Sequence, residues 1–331
     1  TLPTGTIEPT RQLVSAFLKN ASREYAQSVK SICPPHLYPV AKETIPILKS
    51  LGQRGMFHLI RRPQLHVFLS CAQRELRAGN AAMAGLYVEK LLFQTLFELS
   101  LDRALPERGV LWPGPPPLLN CLSPTSMTHI AFTGREAQVL FTNERLRHGE
   151  VELKPNVAQS DGAKVFHSVQ RAMKLSLRDG NPLSDFEAHP DKDGNQVSLG
   201  QASTDEWVHS LNEALSVIHA QLPLLKEEMD LILQQFVPVG YDSEQHLSAS
   251  YMESIGTVYL TLHPRNLTMT EAVIHEFQHN KINMLFHLDA VLHNAYSPLF
   301  TSPIRPDPRP LHGLLLAAHA FVPVAELYRR C

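Results

Sequence analysis

Apolar residues recur every three to four positions through much of the first third of the chain. The segment PQLHVFLSCAQRELRAGNAAMAGLYVEKLLFQTLFELSLDRAL (63–105) has this spacing with few breakers, and it predicts long helices. The run LWPGPPPLL (111–119) interrupts the pattern. Pro113, Pro115, Pro116 and Pro117 around Gly114 impose an extended connector that cannot be helical, and a lobe boundary is expected there. Beyond it, THIAFTG and REAQVLFTN are short and rich in β-formers, whereas VFHSVQRAMKLSLRDGN has a more helical spacing. In HPDKDGNQVSLG the Asp193-Gly194 step predicts a turn between two strands. Asp191, Asp193 and Asn195 do not make a calcium loop, because the glycine is misplaced and no Glu closes it. From Thr204 to Phe236 two apolar stripes meet at Pro223 and predict two helices. SIGTVYLTLHP then reads as an edge strand, and TMTEAVIHEFQHNKINMLFHL as a helix opened by a Thr268/Glu271 capping box. The expected fold is mainly α with a small β portion (α+β): a helical N-terminal lobe, 1–112, and a C-terminal lobe, 118–331.

Composition narrows the function. With 331 residues and 44% hydrophobic content, a core can form without disulfide staples. The balance of 30 basic against 32 acidic side chains lacks the excess a nucleic-acid binder uses to displace counterions, so no nucleic-acid partner is expected. Four scattered cysteines, with no Cys-x-x-Cys, point to a reducing, cytoplasmic setting. No basic leader and no unbroken apolar run of spanning length is seen, so no membrane partner is expected. The chain carries 17 histidines, which become denser toward the C-terminus.

Two of them carry the clearest chemistry. His275 and His279 stand one helical turn apart with Glu276 between them, an HExxH pattern. Two imidazoles so spaced can share one metal ion, and the carboxylate can orient water or a ligand. The positions three and six residues after His279 are Ile282 and Leu285, which excludes the metzincin arrangement, so a third ligand must come from elsewhere. The last helix offers His312, His319 and Glu326 at seven-residue steps, with His319 the first choice, and Pro323 is expected to kink or end that helix before Glu326. Between the two helices, SPIRPDPRPLHG holds Arg305 and Arg309 in a proline-braced loop suited to a carboxylate ligand. The simpler reading pairs one arginine with Asp307.

These residues resemble a known family, the HExxH-type peptide-modification proteins found with ribosomally made peptide precursors and proposed to be 2-oxoglutarate-dependent peptide β-hydroxylases. VIHEFQHNKINMLF (273–286), SPIRPDPRPLHGLL (302–315), HPDKDGN (189–195) and the helix around Trp207 carry the resemblance, which covers about residues 180–331. Ile304 stands where that family commonly has Trp, and His319, Ala320 and Phe321 stand where a Tyr-Ala-Phe-like pattern is frequent. The resemblance implies Fe(II) held by His275 and His279, 2-oxoglutarate as cosubstrate, and hydroxylation of a precursor peptide. Arg305 or Arg309 would then take the distal carboxylate of the cosubstrate. A zinc metallopeptidase with Glu276 as general base is the alternative, and a non-catalytic, metal-stabilised binding protein the third reading.

Overall fold

The computed structural model describes residues 5–134, 138–143, 145–148, 151–153, 164–184, 188–189, 192–302 and 307–331. It is mainly helical with a smaller share of strand, the mainly α, small β composition expected. The chain divides into two compact units. One comprises Leu18–His167 and Ser176–Gly194; the other comprises Thr1–Phe17, Ser168–Leu175 and Asn195–Cys331. The proline-rich connector at 111–118 lies inside the former.

The first unit takes most of helix α1 (Glu8–Ile32), then α2 (Tyr38–Ser50), α3 (Gly52–Ile60), α4 (Pro63–Arg77) and α5 (Ala81–Leu101). Helices α4 and α5 pack as a pair, in keeping with the unbroken helical spacing there. Six short strands follow: β1 (Val110–Trp112), β2 (Leu119–Ser123), β3 (Thr128–Phe132), β4 (Val139–Thr142), β5 (Arg145–His148) and β6 (Val151–Leu153). They form an antiparallel sheet in the order β1-β4-β5-β6 and a β2-β3 hairpin. Phe93 of α5 meets the rings of Trp112, Phe132 and Phe141 edge-on at 4.7–5.0 Å, so one aromatic knot joins helix, sheet and hairpin. Beside it Arg62 bridges Glu98 and Asp102, and Ser123 also donates to Glu98, which compensates the burial of these charges.

The segment read as helix-like at 165–181 forms strands instead, β7 (Phe166–Ser168) and β8 (Lys174–Ser176), around a turn with Arg171 at φ +49°. Pairing of β8 with a later strand outweighs the local helical spacing. Next, β9 (Ala188–His189) pairs with β10 (Lys192–Asp193) as an antiparallel hairpin. The expected pair of strands is present, but the Asp193-Gly194 step follows the second strand and does not turn the chain between them.

In the second unit, α6 (Thr204–Gln221) opens with a reciprocal cap between Ser203 and Glu206, and α7 (Pro223–Ile232) starts on Pro223, as expected of a proline at a first helical turn. Strands β11 (Gln235–Tyr241), β12 (Ser248–Ala249) and β13 (Thr257–Leu262) join β8 in the order β12-β13-β11-β8. β13 runs parallel to β11 and antiparallel to β12. It is therefore internal and not the edge strand its sequence suggested, and all six of its residues are buried, as an interior strand requires. The edge is β12.

Helix α8 (Asn266–Phe286) follows and packs against α6, α7, β13 and α9 (Leu311–Arg330). It begins at Asn266, ahead of the Thr268/Glu271 capping box, and its N-cap Arg265 makes no side-chain cap bond; Glu271 accepts from Tyr328 Oη at 2.8 Å instead. The short strands β14 (Leu299–Phe300) and β15 (Arg309–Pro310) pair at the base of the proline-rich loop. Helix α9 continues through Pro323. A proline lacks the N–H that would bond the carbonyl four residues back, here that of His319. By length and composition α9 could cross a bilayer, with a mean hydropathy of 1.3 and 22% of that stretch buried. His312, His319, Pro323 and Glu326 break the apolar run and concealed this in the sequence.

Candidate metal centre

Helix α8 is buried on nearly all sides, so its polar residues need partners inside the protein. Asn280, fully buried, supplies much of the attachment. Its Oδ1 accepts from the Gly256 amide at 2.7 Å, and its Nδ2 donates to the carbonyls of Thr257 at 3.1 Å and Glu276 at 3.0 Å. Gly256, at φ +93°, occupies a backbone region that side chains disfavour and brings its amide to Asn280 at the start of β13. Lys281 adds a second tie through both carboxylate oxygens of Glu228 on α7, each at 2.8 Å, and Thr10 also donates to Glu228.

On this anchored helix His275 and His279 present their Nε2 atoms 3.0 Å apart. With metal–nitrogen bonds of ~2.0–2.1 Å, such a pair fits neighbouring positions in one coordination sphere. The rings meet nearly edge-on, with centroids 4.6 Å apart, and Phe321 of α9 packs edge-on against His275 at 4.9 Å. Burial, aided by the positive field of His312, pushes His279 down to about 4. It is neutral at physiological pH, the state a metal ligand requires. Its Nδ1 is buried and has no hydrogen-bond partner among the described residues.

Ligand atoms of His275, Glu276 and His279 all lie within 4.8 Å of one another, which makes them a possible cation-binding group among the described residues. Glu276 is 2% exposed, and both its oxygens are occupied: Ser248 Oγ donates to Oε1 at 2.7 Å and Ser250 Oγ to Oε2 at 2.8 Å. These serines are the site residues that sequence reading missed. The only trace of them was an alternating Ser-Ala-Ser well upstream of the motif.

Of the other expected residues, Arg309 lies on β15 and His312, His319 and Glu326 on α9. His319 lies on α9, the helix packed against α8, but outside that three-residue group. Burial pushes it down to about 3, with Lys281 and His279 among the charges that add to this and a hydrogen bond to the backbone of Gln278 opposing it. His312 stacks at a tilt between Phe286 and Tyr296, with centroids 4.8 and 5.5 Å away. Glu326 binds Arg329 and Arg330 at the surface, which hold it down at about 2. Arg309 Nε donates to Asp307 at 3.0 Å, the simpler pairing. Arg305 lies outside the described residues. The geometry of the histidine pair therefore fits a divalent metal. Compared with known protein families and with curated proteins, the sequence matches none.

Proposed function

We propose that this protein is a mononuclear metal enzyme acting on a peptide, with His275 and His279 as its metal ligands. The observation that carries the reading is the 3.0 Å approach of their Nε2 atoms on a helix fastened by Asn280 and Lys281. Holding a cation there offsets the partial burial of two imidazoles with strong bonds. Together with the resemblance of 273–286 and 302–315, this supports an Fe(II)- and 2-oxoglutarate-dependent hydroxylase of a ribosomally made precursor peptide. When bound, the metal supplies open coordination positions for cosubstrate and oxygen. The protein's part is to orient the two imidazoles, to keep that of His279 neutral by burial, and to hold Glu276 as an acceptor beside them. Arg309 can serve the cosubstrate by exchange, since an exposed pair such as Arg309–Asp307 is worth only about 0–1 kcal/mol and a ligand carboxylate can replace Asp307.

Zinc-dependent peptide hydrolysis is the second reading. It is favoured by one observation, the Glu276 carboxylate within reach of the same pair, where it could accept a proton from water. The test is mass spectrometry of a precursor peptide incubated with the protein, Fe(II), 2-oxoglutarate and air, with succinate measured in parallel. The proposal expects a gain of one oxygen and matching succinate. Peptide cleavage that depends on zinc and ignores 2-oxoglutarate would replace it with the second reading.

A further inference from the structure

Glu276 is the one acidic member of the cation-binding group, and a carboxylate so close to two imidazoles has two ways to behave. It can close on the cation as a third ligand, or stay back and accept a hydrogen bond from whatever the cation holds. The structure contains a device that selects between them. Ser248 of β12 and Ser250, just beyond its end, flank Ala249, and the alternation of an extended chain turns both serines to the face opposite Ala249. Ala249 accordingly packs with Val237 and Tyr259, and both serines reach Glu276.

A two-residue edge strand would be too short to hold these hydroxyls still without further support. Thr261 provides it. Its Oγ1 accepts from the Leu247 amide at 3.0 Å, and its own amide donates to the Leu247 carbonyl at 2.9 Å, fixing the residue just before Ser248 to β13. Register pairing of Ser248 with Leu260 and of Ala249 with Tyr259 completes the attachment. The carboxylate is thereby held by one short hydroxyl bond on each oxygen, from donors that cannot easily follow it if it rotates.

We infer that Ser248 and Ser250 are positioning residues that hold the Glu276 carboxylate as a fixed acceptor beside the His275–His279 pair and keep it from becoming a third metal ligand. The inference rests on the metal-site reading proposed above and defines the part Glu276 plays in it. The same clamp leaves the further coordination positions to other groups, which any reaction at this metal requires.

Cobalt(II) titration of the whole chain, followed by its visible absorption, tests this without any turnover, because the spectrum reports ligand type and number. Four proteins are compared: wild type, the double variant Ser248→Ala/Ser250→Ala, Glu276→Gln, and the triple combination. Release of the carboxylate should let it ligate, so the double variant should show an altered spectrum and bind cobalt at least ~tenfold more tightly, the scale of one gained charged contact. In the Glu276→Gln background the serine replacements should change neither quantity, and Ser248→Thr/Ser250→Thr, which keeps both hydroxyls, should resemble wild type. An unchanged spectrum and affinity in the double variant overturns the inference. So does a change that persists in the Glu276→Gln background, since the serines would then act on the fold and not through the carboxylate. Failure of the wild-type protein to bind cobalt at all removes the metal site itself, and the inference with it.

Discussion

Two half-buried imidazoles give the protein a predictable weakness in acid. In the unfolded chain His279 and His319 titrate near the ordinary histidine value of about 6.5, whereas the fold pushes them down to about 4 and about 3. Above pH 6.5 both states are neutral and nothing is lost. As the pH falls from there toward 4, the unfolded chain takes up protons that the folded one refuses, so stability drops. Urea midpoints of metal-free protein should therefore fall between pH 7 and pH 4.5, and His319→Gln should make that fall shallower; an identical slope would show that His319 is not held neutral. Gln278 gives a second prediction at this scale. It is fully buried, and neither amide atom has a hydrogen-bond partner among the described residues. Burying such an amide costs about 1–3 kcal/mol, so Gln278→Met should leave the thermal midpoint unchanged or raise it, and a clear drop would reveal a polar role for the amide. The candidate metal pair was legible in the sequence because both histidines and the glutamate lie on one turn. The serine clamp was not, because its partners come together only through the pairing of β12 with β13.

At the scale of elements, helix α8 depends on its fastening to the sheet. Asn280→Ala removes the acceptor of the Gly256 amide and a donor to the Thr257 carbonyl, both in buried surroundings. Two stranded backbone groups cost about 2–4 kcal/mol together, which chemical denaturation will detect. Metal affinity should weaken in the same variant, because the histidines ride on the helix that is loosened; an unaltered stability would show that Asn280 is not the fastening. Element types were readable wherever one period ran long, as in α4, α5, α6 and α8. They were misread where pairing decided the matter. Residues 165–181 have helical spacing yet become β7 and β8, because Leu175 and Lys174 pair with β11. β13 looked like an edge because the two-residue β12 that covers it has no periodic signal of its own.

For the molecule as a whole, the proline-rich connector promised a division near 112–118, but β1 pairs with β4 across it. A fragment of residues 118–331 would strip β1 from one side of β4 and lack Thr10, which bonds Glu228. It should fail to unfold cooperatively, and a sharp, reversible transition in that fragment would contradict this reading. The connector was visible in the sequence as a break in helix. What the sequence could not reveal is that long-range strand pairing carries one compact unit across it. The central claim, one metal held by His275 and His279, is tested most directly by loading the whole chain with one equivalent of Fe(II) without air, desalting it, and measuring metal per chain. The account predicts close to one ion per chain in the wild type and near-background content in both His275→Ala and His279→Ala. Wild-type metal content in both folded variants would contradict it.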